Sequence, residues 1–214
     1  MYVYGEKQKM VRKTKADAEL TRQQIIDAAR QMFAEKGVSR TTIDNIAAAA
    51  GVTRGAVYWH FANKEALFHA MRDQVTLPLL DRLGGSLLRP NDADPLDAIA
   101  RFHLGLFDTL QHDPVARQVY EIMILKCEYV EEFAHELANQ QAYCSEIVGS
   151  LAHAYRQAAR VGQLRPGLDP DLVALDTFIF ISGLIKGWLA DAGSTLVRPR
   201  IAGLIHSHLA LRRN

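Results

Sequence analysis

The residues best equipped for chemistry lie in one short stretch, Thr53-Arg54-Gly55-Ala56-Val57-Tyr58-Trp59-His60-Phe61, with Lys64 just beyond. Thr53 offers a hydroxyl that can cap a helix. The backbone beside it then becomes the positive end of that helix and attracts phosphate. Arg54 adds a full charge and a planar fork suited to phosphate or to guanine. Gly55 leaves room for a sugar-phosphate wall. Val57 and Phe61 fit a core, but Tyr58, Trp59 and His60 are consecutive and cannot all be core in a helix, so polar tips must face outward. Lys64 is placed for a further phosphate contact. This set fits nucleic-acid recognition. Each element is common in packed helical hairpins, and only the combination is specific.

Other reactive residues form no comparable set. The eight histidines contain no HExxH pair, and His206 and His208 are two apart, on different faces of a helix. No metal site and no cofactor are expected. Cys127 has His135 eight residues on, but no elbow or oxyanion motif supports a nucleophile–base pair. Two cysteines form no disulfide framework and fit a reduced compartment, with Cys127 as a buried or pocket-lining thiol.

Helices must position the Thr53–Lys64 set. Thr42 caps a helix whose inner face is Ile43, Ile46, Ala47 and Ala50, and Gly51 supplies the positive φ of a tight turn. The small residues at 47–50 let two helices approach closely. Before them, a helix starting near Thr14, with Asp17 at capping-box spacing, carries Ile25, Ile26, Ala29, Met32 and Phe33 and ends at Gly37. After them, Asn63 caps a long helix striped by Leu67, Phe68, Met71, Val75 and Leu79. Pro78 should kink or end that helix. Gly84-Gly85 should open a loop through Pro90, Asn91 and Pro95. Helices are then expected to about Leu110, from Val115 to about Cys127, from Val130 to Arg160, from Asp171 to Ala190 and from Arg200 to Arg212. The segment 171–190 is apolar nearly all round, which predicts burial on more than one side. Asp176 and Lys186 within it argue against a membrane span. No period-2 run is long enough to call a strand, so the fold class is all-α with about nine helices.

The chain has 214 residues, 49% of them hydrophobic, and a net charge of only +1. Its charge is unevenly spread. Residues 1–75 carry 12 Lys/Arg against 8 Asp/Glu, and the remainder 13 against 16. That asymmetry suits a nucleic-acid-binding head on a different kind of body. The N-terminus lacks the apolar region of a signal peptide.

Residues 22–68 resemble the DNA-binding head of the TetR family of bacterial repressors. The resemblance rests on Ile25, Ala28, Ala29, Phe33, Gly37, Thr41-Thr42, Ile46-Ala47, Ala50-Gly51-Val52, Gly55, Tyr58-Trp59-His60-Phe61, Lys64 and Leu67. It extends to the AcrR/TtgR-like branch, regulators of multidrug efflux pumps, through Met10 to Lys15, Gly51 to Phe61, Glu121-Ile122, Lys126 to Tyr129, Ser182-Gly183-Leu184 and Trp188-Leu189. The resemblance implies a homodimer, a helix-turn-helix head on a ligand-binding and dimerisation body, and an operator overlapping a promoter. Carried over by position, the DNA contacts are Thr42, Thr53, Arg54, Gly55, Tyr58, Trp59, His60 and Lys64. The drug pocket falls near Tyr120, Ile124, Cys127, Cys144, Phe178, Ile181, Ser182 and Lys186. Tyr120, Ile124 and Ser182 depart from the relatives there, so a ligand identity does not carry over. Phe102, Leu106 and Met123 join the pocket as large apolar residues of the body.

The expected organisation is a flexible arm at 1–18, a helix-turn-helix domain at 19–66 and a body at 67–214. The expected function is a bacterial cytoplasmic repressor. A small hydrophobic or aromatic ligand releases it from a palindromic double-stranded operator, and it dimerises through the helices at 171–190 and 200–212, with no membrane partner. Three alternatives stay open: a sensor of a fatty-acyl or aromatic metabolite, an architectural DNA binder without a ligand, and a small helical enzyme using Cys127.

Overall fold

The computed structural model describes residues 15–87, 94–129 and 133–214, without the side chains at 79, 80, 82–86, 135 and 137. Among the described residues there are nine α-helices and no strand. Three of them build the head: α1 (Lys15–Lys36), α2 (Ile43–Ala49) and α3 (Arg54–His60). α4 (Lys64–Leu87) leaves the head and enters the body. The body adds α5 (Pro95–His112), α6 (Pro114–Glu121), α7 (Ala134–Arg160), α8 (Pro170–Ala190) and α9 (Ile201–Ala210).

Local chemistry explains most boundaries. Gly37 adopts φ +82° and stops α1, and Gly51 adopts φ +65° between α2 and α3. Thr42 caps α2 in a reciprocal box: its hydroxyl accepts from the Asn45 N–H at 3.2 Å, and its own N–H donates to Asn45 Oδ1 at 3.3 Å. Thr53 Oγ1 accepts from the Ala56 N–H at 3.1 Å, and Asn63 Oδ1 from the Ala66 N–H at 2.7 Å. Helices α5, α6 and α8 each begin with an Asp cap followed by proline, at 94–95, 113–114 and 169–170.

Several expectations fail. Lys15–Ala18 already belong to α1, so they are not part of a loose arm; Thr14 lies outside the described residues. α4 neither ends at Pro78 nor stops at Gly84-Gly85 but runs on to Leu87. A proline removes one N–H and a glycine weakens a helix by about 1 kcal/mol, yet neither stops α4 before the buried Leu87. Pro90, Asn91, Val130 and the Leu79 side chain lie outside the described residues. The helix expected through Cys127 changes character: α6 ends at Glu121 and Ile122–Lys126 form a π-helical turn.

Two hydrophobic clusters result. The body cluster joins α5, α7, α8 and α9, among them Ile99, Leu110, Tyr155, Ala174 and Ile205. The head cluster gathers Ile25, Phe33, Ile46, Val57, Leu67, Phe68 and Met71, and also takes in Val119, Ile122 and Phe133 from the body. Polar contacts bind the same junction. The Val38 N–H donates to the Lys126 carbonyl at 3.1 Å, Lys126 Nζ donates to the Ala34 carbonyl, and Ser39 Oγ donates to Glu128 at 3.2 Å.

α8 is not buried on all sides. Val173, Ala174, Thr177, Ile181 and Trp188 are buried, whereas Leu172, Leu175 and Ile179 are exposed, Ile179 by 62%. Their spacing of three and four residues places them on one face. By length and composition alone α8 is apolar enough to cross a membrane. It packs along α7, and Thr177 bonds both Tyr155 Oη on α7 (2.8 Å) and His208 Nε2 on α9 (3.1 Å). After α8, Asp191 accepts from the consecutive N–H groups of Thr195, Leu196, Val197 and Arg198, which fixes the connection into α9.

Candidate DNA-reading face and ligand cavity

α3 stands with one side in the head and the other in solvent. Val57 and Phe61 are buried, and Thr53, Arg54, Gly55, Tyr58 and Trp59 are exposed, Trp59 by 72%. His60 is half-buried and meets the Trp59 ring edge-on, 4.5 Å between centroids. Thr42 is exposed at the start of α2. Arg54 is held in place before any ligand arrives. Its guanidinium lies 3.1 Å from Asp44 Oδ2, 3.4 Å from the Tyr58 hydroxyl and 5.5 Å from the Tyr58 ring centroid. The Tyr58 contact, then the Asp44 charge, push its pKa further up. A phosphate has to displace Asp44, an exchange of one exposed carboxylate for another anion.

Lys64 departs from the expected phosphate contact. Its side chain is only 9% exposed, and Nζ donates to the carbonyls of Val38 and Thr41, each at 3.1 Å, and of Ser39 at 3.5 Å. The ring of Phe133 lies 5.4 Å away. Three carbonyls of the α1–α2 turn have no helical partner, and the ammonium satisfies them from below. The side chain therefore points into the protein.

The body encloses a cavity of about 170 Å³ between α4, α5, α6, the π turn, α7 and α8. A void of that size accepts one aromatic ring without rearrangement. The structure brings nine of the eleven expected pocket residues onto its walls: Phe102, Leu106, Tyr120, Met123, Ile124, Cys144, Phe178, Ile181 and Ser182. Cys127 and Lys186 are not among them. The Cys127 side chain packs against the head cluster, because the chain leaves the π turn toward α1, and Lys186 faces solvent on α8. Burial, then the charge of Glu136, push the Cys127 thiol up to about 12, the reverse of an activated nucleophile. Burial also raises the Cys144 thiol. The His135 side chain lies outside the described residues.

Sequence reasoning missed the polar part of the cavity, where Arg72, Thr76, His103, Glu136, Gln140 and Tyr143 also contribute. Arg72 on α4 and Glu136 on α7 form a buried pair with Nη1 2.7 Å from Oε2. Arg72 Nη2 lies 3.0 Å from His69 Nδ1, which must accept because a guanidinium only donates. His69 Nε2 in turn contacts Glu136, and Asn139 Nδ2 donates to Glu136 Oε1 at 3.0 Å. The guanidinium lies 5.0 Å from the Tyr143 ring centroid. Glu65, His69 and Glu136 present ligand atoms within 4.8 Å of one another, a spacing a metal ion can bridge. Arg72 already supplies the positive charge there. The one warning in the sequence was Arg72 amid a helical apolar stripe, and its partner is 64 residues away.

His103 is 2% exposed, and Nδ1 lies 2.8 Å from the Ile99 carbonyl. Burial lowers its pKa to about 4. Tyr120 is pushed up to about 12 by burial, so its hydroxyl stays protonated.

Comparison with known proteins agrees with both halves. Residues 25–71 match the family of bacterial regulatory proteins, tetR family, and residues 94–212 match the MAATS-type transcriptional repressor, C-terminal region. The chain is 38% identical over 180 residues to the HTH-type transcriptional regulator TtgR of Pseudomonas putida, covering 84% of this chain and 85% of that protein. It is similar to the solved structure of NalD, the secondary repressor of the MexAB-OprM multidrug efflux pump in Pseudomonas aeruginosa. That match has a TM-score of 0.82 at 33% identity, over 94% of this chain and 99% of NalD. The complex of SmeT, repressor of a Stenotrophomonas maltophilia multidrug efflux pump, with triclosan matches with a TM-score of 0.80 at 31% identity, over 91% and 92% of the two chains. An all-α head-and-body architecture with sequence matches along both parts leaves one assignment: the chain belongs to the TetR family of bacterial transcriptional regulators.

Proposed function

We propose that this protein is a homodimeric repressor of a multidrug efflux operon in the bacterial cytoplasm, released from a palindromic operator by a small hydrophobic or aromatic ligand. Residues 19–66 read DNA and residues 67–214 bind ligand and partner; no cofactor takes part and the protein is not an enzyme. Thr42, Thr53, Arg54, Gly55, Tyr58, Trp59 and His60 meet the operator. The exposed apolar faces of α8 and α9, with Ile179 and Leu204, cover one another across a two-fold axis. NalD and SmeT carry the efflux reading, and the SmeT–triclosan complex the ligand class.

One observation carries the switch. α4 is continuous from Lys64, clamped beneath the head, to Arg72 and Thr76 on the cavity wall. Two heads must sit about 34–36 Å apart, or a multiple, to enter successive major grooves. A ligand that fits the cavity better when α4 has shifted favours the wrong spacing and releases DNA. Fluorescence anisotropy with the promoter region of the adjacent operon tests this. Specific binding by the dimer, reversed by triclosan-like aromatics, is expected. Binding no tighter than to random DNA of equal length, or an affinity unmoved by every aromatic tried, overturns it.

A further inference from the structure

Among the described residues, one cavity-wall histidine uses only one of its two ring nitrogens in a hydrogen bond. His103 lies on α5, and its Nδ1 faces the Ile99 carbonyl of its own helix at 2.8 Å. A carbonyl only accepts, so Nδ1 carries the proton and Nε2 is a bare lone pair. Nδ1 is turned to the backbone, so Nε2 is at the far side of a ring that forms part of the cavity wall. The ring is neutral at physiological pH because burial holds its pKa near 4. Phe102 fixes it edge-on, 4.9 Å between centroids and at 90°.

These facts restrict what fits. A carboxylate or phenolate presents only lone pairs to Nε2 and is repelled. An ammonium ion needs a carboxylate, and Glu136 is already engaged by Arg72, Asn139 and His69. A neutral O–H donor fits, and the aromatic surfaces of Phe102, Tyr120 and Phe178 favour attaching it to a ring. Resting on the ligand-released reading above, we propose that His103 is the specificity-determining acceptor of the cavity, and that its preferred ligands are compact neutral phenols whose hydroxyl donates to Nε2.

The test compares 4-propylphenol with its methyl ether, 4-propylanisole, by calorimetric titration of the full-length protein. The two have nearly the same shape, and only the phenol can donate. Wild type should bind the phenol about tenfold more tightly. His103→Leu should keep the affinity for the ether and lose the preference. The ring ¹⁵N signal of Nε2 in wild type should move upfield with the phenol and stay with the ether, a readout that needs no variant. Equal affinity of wild type for both compounds, or an unmoved Nε2 signal, overturns the role of His103 and leaves the cavity reading standing. Binding of neither compound removes both.

Discussion

Lys64 and His103 are both basic side chains withdrawn from water, and the consequences differ in sign. Lys64 satisfies carbonyls. Replacing it with methionine strands the Thr41 carbonyl and leaves Val38 only its 3.3 Å bond from the Thr41 N–H, and should destabilise the protein by about 2–3 kcal/mol in urea denaturation. The salt dependence of operator binding should stay at the wild-type slope, whereas loss of a phosphate contact lowers it by about one. His103 stays neutral. Its folded pKa of about 4 lies below the unfolded value of about 6.5, so the unfolded chain takes up the proton first. Its contribution is complete above pH 6.5 and shrinks as pH falls toward 4. His208 shifts the same way, to about 4, through burial and then Arg212, partly offset by Asp176. Urea titrations across that window should show stability falling with pH, and the fall should be smaller by one proton in His103→Leu. Neither role was legible in the sequence. A lysine three residues past Phe61 looks the same whether it faces a phosphate or three carbonyls, and His103 is a single polar letter in an apolar stripe.

α4 runs from the head into the body, and two features set its stiffness. The buried Arg72–Glu136 pair holds it to α7. Breaking the pair from one side, by Arg72→Met, should cost about 3–5 kcal/mol, and the double change Arg72→Met with Glu136→Leu should recover most of it in the same denaturation experiment. Pro78 removes one helical hydrogen bond just beyond the cavity wall. Pro78→Ala should stiffen the helix, raise the melting temperature and weaken ligand-induced release from DNA; unchanged release sets aside bending at this point. Element boundaries written in local chemistry were readable: the Thr42, Thr53 and Asn63 caps, the Gly51 turn and the break at 113–114. Those decided by tertiary packing were not. Gly84 and Gly85 look like a loop, yet the helix continues through them. The π turn has no signature in the sequence, and its first residue, Ile122, packs in the head cluster. Nine pocket residues were reachable mainly because of the resemblance, and the polar network around Arg72 was invisible because its members come from two distant helices.

For the molecule as a whole, the proposed dimer rests on the exposed apolar residues of α8 and α9. Leu172, Leu175 and Ile179 form an apolar row exposed to water on one face of α8. Ile179→Asp should yield monomers in light scattering, with the helical circular dichroism retained and specific operator binding lost, since one head cannot span two half-sites. Retention of a dimer would place the interface elsewhere. The head cluster here is closed by Val119, Ile122 and Phe133, and Lys126 joins it through two backbone contacts. A chimera cut at residue 66 would set a foreign head on this floor, with apolar gaps and unmatched carbonyls. Grafts should transfer only when residues 119–133 travel with the head, so the inherited unit of exchange is discontinuous in the chain.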